Sequence, residues 1–443
     1  MHRNNISGIC KNVMCLFVKT VVYLDKTTKF VKRKSKLGAR LFVEVLVSGC
    51  LLDPTISLER LCKLLKQRGV RISKQGLQQR FNTVAARKLM QMFFLKALEK
   101  FKTKNSNVFS LLKHFSTVAI VDSSGISLPS HLKDLYKGTG GVASEAGMKI
   151  QVLFDYINGY ISQLKITEGC TSDQGYDKYL SKIEKGALYL QDLGYFKLKS
   201  FIAIHQKGAY FISRYFNATK VFDKDGKQVG LIKVLQKAGR IFEKQVWLGQ
   251  TEKMKVRLIA YRLSDEEAGK RVYKIKRAAQ RSGKHPTKEA LRFARWSIYI
   301  TNVPEDKLKV EQIHLVYTLR WQVELFFRLC KSGAGIDKVN GRNVNRILCE
   351  IYAKLSCVVM LLYFCFPLRW QKNCELSLLK AYKELQQRAV DFFRALTSLS
   401  RMIKFMKILF DDLKDFAYKD KNRIKGRLVY QRLMDAAGQE VLV

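Results

Sequence analysis

The order of predicted elements between residues 116 and 215 constrains the fold of this chain more than any other feature. Runs of apolar and β-branched residues, which favour strands, occur there at 116–124, 149–169, 187–192 and 209–215. The second run is interrupted by Asn158-Gly159, a strong hairpin signal, so it predicts two antiparallel strands. With helical patterns before and after the fourth predicted strand, the order is β-β-β-α-β-α-β. This order predicts an α/β domain, and two of its strands end in a carboxylate, Asp122 and Asp192.

The net charge indicates a polyanionic partner. The chain has 81 Lys and Arg against 37 Asp and Glu, a formal charge of +44 on 443 residues. A basic surface releases counterions when it neutralises phosphates, so it binds nucleic acid whatever the base sequence. An ordinary basic protein, such as a ribosomal or membrane-surface protein, is the alternative.

Cysteine usage and hydropathy favour a cytoplasmic protein with no membrane partner. The ten cysteines form no C-x-x-C pair, so we expect neither a zinc site nor a disulfide framework, and a reducing compartment fits best. The most apolar stretch, at 355–368, is too short to span a bilayer and predicts a buried helix. The apolar patches near the N-terminus are too short for a signal peptide.

The segment YTLRWQVELFFRLCK at 317–331 predicts an amphipathic helix. At about 100° per residue, such a helix places four polar side chains within an arc of roughly 60°: Tyr317, Arg320, Glu324 and Lys331. Apolar residues occupy the neighbouring face, so one side of the helix is expected to be buried. A carboxylate flanked by two cations and a phenol suits a site that holds a metal ion and a phosphate. A surface ion pair between Glu324 and Arg320 is the alternative.

Asp122, Asp192 and Glu324 together predict a metal site. Three carboxylates from two strand ends and a helix can form an oxygen-rich site for hard divalent ions, Mg²⁺ or Mn²⁺. Two such ions, about 3.5–4 Å apart, can clamp a scissile phosphodiester, one generating the nucleophile and the other stabilising the leaving oxygen. No nucleophilic Ser or Cys is then required. For Asp122 alone, capping of the turn DSSG is the alternative.

Composition divides the chain into four regions. We predict a helical basic DNA-binding region at 1–110, a ribonuclease H-like catalytic domain at 111–215 and 296–370, a β-rich basic insertion at 216–295, and a helical C-terminal region at 371–443. The ribonuclease H-like prediction rests on the element order, so the fold class is α/β with helical flanks and a β-rich insertion.

Two helices are predicted within the N-terminal region. The first is capped by Ser57 and stopped by Gly69, and the second runs unbroken from Ser73 to Phe101. Two helices joined by a short turn suggest a helix-turn-helix, although a plain helical hairpin has the same pattern.

These motifs resemble those of the DDE transposases of bacterial insertion sequences, in the subgroup with the YREK signature. An Asp closes the first strand, a second Asp lies in Y-L-Q-D-L-G-Y, and Tyr-x2-Arg-x3-Glu-x6-Lys follows, over roughly residues 110–370. The resemblance implies metal-dependent cleavage and strand transfer at the terminal inverted repeats of an insertion sequence. Its implied catalytic, metal-binding triad is Asp122, Asp192 and Glu324, with two Mg²⁺ or Mn²⁺ ions.

The resemblance also implies contacts with double-stranded DNA, both the transposon ends and the target, by a homodimer in the synaptic complex. Tyr317, Arg320 and Lys331 would contact phosphates, and Trp296 would stack on a flipped base. A core Trp at a strand start is the alternative for Trp296. Two other functions stay open: a ribonuclease H-like nuclease or resolvase, which would not need strand transfer, and an inactive DNA-binding transposase derivative.

Overall fold

A computed structural model describes residues 3–33, 35–104, 110–140, 145–368, 375–419 and 433 of the chain. The described residues form two compact units. The first unit comprises those within Met1–Asn107, Ser123–Thr171 and Trp321–Arg432, and the second those within Val108–Asp122, Ser172–Arg320 and Leu433–Val443. The four regions predicted from composition stay a prediction.

Helices open the chain, and they belong to the first unit: α1 (Arg3–Met14), α2 (Val21–Thr28), α3 (Ala39–Leu52), α4 (Leu58–Gln67), α5 (Lys74–Phe81) and α6 (Val84–Lys100). The predicted cap of α4 is confirmed, because the Ser57 side chain accepts a hydrogen bond from the backbone N–H of Arg60. The prediction of one unbroken helix from Ser73 was wrong. The chain leaves the helix after Phe81, and the Thr83 side chain caps a new one by accepting from the N–H of Ala86.

Three strands follow: β1 (Val118–Leu128), β2 (Ala146–Asp155) and β3 (Tyr160–Glu168). Strands β2 and β3 pair antiparallel in the first unit, which confirms the predicted hairpin. Its turn ends at Gly159, whose φ of +71° lies in the left-handed region that favours glycine.

Among the described residues, all the strands after β3 lie in the second unit, together with five α-helices: β4 (Leu188–Gln191), α7 (Leu198–Gln206), β5 (Tyr210–Arg214), β6 (Val221–Phe222), α8 (Leu231–Gln236), β7 (Ile241–Leu248), β8 (Met254–Arg262), α9 (Asp265–Arg281), α10 (Lys288–Phe293), β9 (Trp296–Thr301) and α11 (Val310–Thr318). Its sheet has the strand order β1-β4-β5-β9-β8-β7-β6. Strands β1, β4 and β5 are parallel to one another, and the others pair antiparallel.

The mixed α/β class is confirmed, and the parallel pairing of β1, β4 and β5 is consistent with the predicted ribonuclease H-like core. Strand β4 and the first four residues of β1 are buried, as expected where a parallel sheet is covered on both faces. The β-rich residues 216–295 contribute β8, which pairs with β9 and so extends this sheet.

The first unit is completed by α12 (Gln322–Arg328), α13 (Val344–Cys365), α14 (Leu378–Gln387), α15 (Ala389–Ala395) and α16 (Leu399–Phe416). Every residue of α13 after Val344 is buried, which confirms the predicted buried helix. By length and composition alone, two described segments are apolar enough to cross a membrane, Ile6–Thr28 and Val344–Leu368. The second is longer than the sequence suggested, but 89% of its most apolar window is buried, as in the core helix of a soluble protein.

Candidate functional site

Two predicted site residues lie at neighbouring positions of the sheet in the second unit. Strands β1 and β4 are parallel, with Val121 in register with Gln191. Asp122 and Asp192 are the residues that directly follow this registered pair on the two strands. Because neighbouring strands lie about 4.8 Å apart, the two backbone positions are close together. Strand β1 itself continues to Leu128, beyond its predicted end, but its pairing with β4 stops at Val121. Open α/β sheets bind ligands at this carboxyl edge.

Arg214 lies at the same edge, and sequence reasoning did not select it. Strand β5 is parallel to β4 with Ser213 in register with Gln191, so Arg214 stands level with Asp192 on the next strand. Its side chain is half-buried. The sequence carries a signal for it, because a cation ends the run AYFISR just as a carboxylate ends ALYLQD.

Arg320 is bound to Asp122. The Nη1 of Arg320 lies 3.0 Å from Oδ2 of Asp122, and the two side chains are 8% and 18% exposed. Shielding from water strengthens such a charge-assisted hydrogen bond relative to one on the surface. The structure therefore brings together a predicted metal-binding carboxylate and a predicted phosphate-binding cation, as partners of each other.

Tyr317 is buried beside the same edge. Its hydroxyl donates a hydrogen bond to the Gln191 carbonyl oxygen at 3.3 Å, and its ring packs on Tyr299 of β9 with centroids 5.0 Å apart. Burial raises the pKa of Tyr317 well above its ordinary value; the Arg320 charge opposes this, and the Asp192 charge adds to it. The phenol therefore stays protonated and acts as a donor to the residue that precedes Asp192.

The predicted polar stripe along residues 317–331 was wrong. The segment is built of four pieces: α11 to Thr318, a 3₁₀ turn at Leu319–Trp321, α12, and a π-helical turn at Leu329–Gly333. The 3₁₀ and π turns change the rotation per residue, so a projection at 100° per residue does not hold across them. Tyr317 and Arg320 are buried, whereas Glu324 is exposed. Glu324 and Lys331 belong to the first unit.

Trp296 opens β9 and packs in the core of the second unit, 6% exposed. It pairs with Arg262 of β8, and its carbonyl oxygen accepts a hydrogen bond from Arg271 Nη1 at 3.0 Å. Stacking on a base requires an accessible ring face. The stacking role of Trp296 stays a prediction that would require the ring to leave this core.

The donor chemistry at the strand edge fits a divalent ion in part. Carboxylate oxygens are the ligands that Mg²⁺ and Mn²⁺ prefer, and Asp122 and Asp192 supply them from adjacent strands. Within the described ranges, no group of three or more His, Cys, Asp or Glu side chains is arranged to hold a metal ion. One oxygen of Asp122 is instead engaged by Arg320.

Comparison with known proteins finds similarity to transposases of bacterial insertion sequences. Residues 113–360, more than half of the chain, match the family model described as a transposase DDE domain. The transposases for insertion sequence elements IS231F and IS231C of Bacillus thuringiensis (subspecies israelensis and berliner) are 29% and 30% identical to this chain. These matches cover 87% and 86% of this chain and 86% and 85% of theirs.

A more distant relative and one solved structure extend the comparison. The transposase for IS1151 of Clostridium perfringens is 27% identical over 91% of this chain and 90% of its own. The synaptic complex of piggyBac transposase with hairpin DNA is 12% identical and matches 91% of this chain and 84% of that chain, with a TM-score of 0.43.

Proposed function

Because the chain belongs to the DDE transposase family, whose enzymes cleave DNA and transfer the cut strands, we propose that it acts on the terminal inverted repeats of an insertion sequence. The relatives are named as transposases of such elements, and a charge of +44 suits a DNA partner. The observation that carries the proposal is the register of β1 and β4, which gives Asp122 and Asp192 equivalent positions at one sheet edge. Membership of the YREK subgroup rests on the sequence spacing alone.

Asp122 and Asp192 are the proposed metal-binding carboxylates, for two Mg²⁺ or Mn²⁺ ions. Glu324, in the other compact unit, is the third proposed ligand on the strength of the sequence motif. When bound, such ions activate the attacking hydroxyl and stabilise the leaving oxygen of an in-line displacement. The DDE family implies a divalent metal; the number of ions is part of the proposal.

Arg320 and Tyr317 orient the two strand ends. The ion pair with Arg320 fixes the Asp122 carboxylate, and the Tyr317 hydroxyl fixes the carbonyl that precedes Asp192. Holding reacting groups in place before the substrate arrives lowers the entropic part of the barrier. Contact of Arg320 with a DNA phosphate is a proposed second role, in which the phosphate would share the guanidinium with Asp122.

Other charged side chains complete the proposed contacts with DNA. Arg214, level with Asp192, supplies a cation for the phosphate that carries the scissile bond. Lys331, and Trp296 if its ring is released, are the remaining proposed contacts with the transposon end. Pairing of two ends requires two active sites, so the proposed working form is a homodimer on double-stranded DNA, both element ends and target, in the cytoplasm.

The decisive experiment is a strand-transfer assay. Labelled DNA that carries the inverted repeats flanking the coding region is incubated with the protein and a target plasmid, in Mg²⁺ or in EDTA. We expect 3′ ends joined to target in Mg²⁺ only. Joining in EDTA would contradict the metal mechanism, and cleavage without joining would indicate a nuclease.

A binding measurement supplies the control for the third carboxylate. Glu324→Gln should bind the same DNA as tightly as the wild type and cut none of it. Loss of binding instead would show that Glu324 has a structural role.

A further inference from the structure

Helix α9 is held to the second unit by one face. Nη1 and Nη2 of Arg271 donate to the Trp296 carbonyl oxygen at 3.0 Å and to the Ser297 hydroxyl at 2.8 Å, both on β9. Ala268 is buried, and Ile275 is half-buried on the same side. These contacts fix the rotation of the helix about its own axis, so its outward face has a defined composition.

That outward face is basic and carries one aromatic ring. At about 100° per residue, an arc of roughly 160° contains five exposed cations and one exposed tyrosine: Lys270, Tyr273, Lys274, Lys276, Arg277 and Arg281. The exposed Glu266, at the start of the helix, lies in the same arc. The twenty residues 269–288 contain eight Lys or Arg and no Asp or Glu. The Tyr273 ring is 63% exposed in the middle of these cations.

Most of these cations are not neutralised by the protein. Lys270 pairs with Glu266 at 2.5 Å. Lys274, Arg277 and Arg281 have no carboxylate within 4.0 Å in the part of the chain that the structure describes. Like charges four residues apart, as in Arg277 and Arg281, destabilise a helix by about 0.2–0.5 kcal/mol per pair. A basic helix that only faces solvent usually has acidic residues three or four positions from its cations, which neutralise them. Lys274, Arg277 and Arg281 have no acidic residue at those positions, so this face is suited to an anionic partner.

We propose that the outward face of α9 binds the phosphate backbone of duplex DNA. The inference rests on the proposed function, since it assigns a further part of the DNA contact to a surface away from the strand edge. A 17-residue helix is about 25 Å long, and duplex DNA carries one charge per about 1.7 Å, so several cations can meet phosphates at once. Tyr273 can pack on the sugar or an accessible base.

The composition of α9 favours DNA over a lipid surface. A helix that binds a membrane buries a continuous apolar stripe in the lipid. In α9 the apolar side chains Val272 and Ile275 lie on the same side as Arg271, which is bound to β9. The outward face therefore offers charge and one phenol, which match a sugar-phosphate backbone.

The test is a salt titration of binding to a labelled 30-base-pair duplex by fluorescence anisotropy. The triple variant Lys274→Gln, Arg277→Gln, Arg281→Gln removes three cations without removing helix-favouring residues. Each lost phosphate contact lowers the slope of log affinity against log salt by about 0.9, so we expect a slope smaller by roughly 2–3 units. Binding at low salt should weaken at least tenfold, with an unchanged circular dichroism spectrum.

A matched variant controls for total charge. Arg401→Gln, Lys404→Gln, Lys407→Gln removes three exposed cations from α16 in the other unit. We expect its salt slope to match that of the wild type. Equal losses in both triple variants would show that overall charge accounts for binding and would overturn the α9 assignment. So would an α9 variant that binds duplex normally but no longer binds phosphatidylserine–phosphatidylcholine vesicles.

The two proposals fail in distinguishable ways. If the wild type joins ends to target and the α9 variant keeps the full salt slope, only the proposal for the α9 surface is refuted. If the wild type binds duplex through α9 but joins no ends in Mg²⁺, only the proposed transposition reaction is refuted.

Discussion

Two arginine–carboxylate ion pairs in this protein have the same N–O distance but different surroundings. In the first unit, Arg346 Nε lies 3.0 Å from Oε1 of Glu350; in the second, Arg320 Nη1 lies 3.0 Å from Oδ2 of Asp122. Both pairs are largely shielded from water, with side chains 10% and 6% exposed in the first and 8% and 18% in the second. The geometry of the pair therefore does not separate a structural role from a functional one.

The surroundings of the α13 pair indicate a structural role. Glu350 also accepts a hydrogen bond from the N–H of Asn340 at 3.0 Å. One turn further along, the fully buried Lys354 donates to the carbonyl oxygens of Gly335, at 3.1 Å, and of Lys338. These bonds to backbone atoms fasten the loop 335–340 to the helix, and the charges are satisfied within the unit.

The surroundings of the Arg320 pair suit its proposed role in the active site. Its carboxylate stands beside Asp192, and Arg214 follows on the next strand. Side chains that carry charge and meet at an open sheet edge can exchange partners with a substrate, whereas backbone carbonyls in a core cannot. Breaking each pair should therefore affect different measurements.

The largest expected effect is on catalysis. Asp122→Asn keeps a hydrogen-bonding oxygen near Arg320 but removes the charge proposed to bind the ion, so strand transfer should fall by at least about 1000-fold, or about 4 kcal/mol of barrier. The free energy of unfolding should change by about 1 kcal/mol or less. The strand-transfer assay and urea unfolding measure the two quantities. If the Asp122→Asn protein is active, the Arg320–Asp122 pair has no catalytic role that distinguishes it from the Arg346–Glu350 pair.

The next largest effect is on stability. Lys354→Met removes the Lys354 donor from two backbone carbonyl oxygens, of which that of Gly335 still accepts from the N–H of Lys338. It also removes a cation near the buried Glu350, so the free energy of unfolding should fall by about 3 kcal/mol. Lys274→Met on the exposed face of α9 is the control and should change it by about 0.5 kcal/mol or less. Urea unfolding of both variants decides. Equal midpoints would show that the α13 network does not stabilise the unit.

The two pairs also differ in how far the sequence predicted them. Asp122 and Asp192 were found because apolar, β-branched runs deliver each to the end of a strand pairing, a local pattern that the parallel register preserves. Arg320 was selected by its spacing to Glu324, but its partner is Asp122, which lies about 200 residues away in the sequence and can be assigned only once the sheet has formed.

Sequence periodicity failed where packing changes the backbone. The stripe from Tyr317 to Lys331 assumed a uniform helix, but a 3₁₀ turn with no Pro or Gly precedes α12, and the π-helical turn after it ends at Ser332-Gly333. The burial of Lys354 could not be predicted either, because the sequence around a lone Lys in an apolar helix does not show that two backbone carbonyl oxygens lie within its reach.

A smaller catalytic effect should separate orientation from charge at Arg320. Arg320→Met frees Asp122 from its partner, and a misplacement of about 1 Å can cost on the order of 100-fold, so we expect strand transfer to fall by 10- to 100-fold. Arg320→Lys keeps the charge but not the planar fork and should recover part of the rate. The readout is kcat and KM in parallel: a loss in kcat that Lys partly restores supports positioning, and a rise in KM alone would indicate a phosphate contact only.

The smallest effect concerns the pH dependence of stability at Glu350. Burial raises the pKa of Glu350 above its ordinary value of 4.5, although Asn340, Arg346 and Lys354 oppose the shift. The folded protein then binds the proton more tightly than the unfolded chain. This contribution is fully present below pH 4.5 and is lost as the pH rises through the raised pKa.

Glu350→Gln has no proton to lose, so its stability should decline less than that of the wild type from pH 4.5 upward. The difference is about 1.4 kcal/mol for each unit by which the pKa is raised. Glu44, whose pKa is raised in the same direction by burial, is present in both proteins, so its contribution cancels in the comparison. Urea unfolding of both proteins at pH 4.5 and pH 7 measures the difference. If the wild type instead gains stability relative to Glu350→Gln, the charges of Arg346 and Lys354 outweigh burial, and Glu350 is their ionised partner.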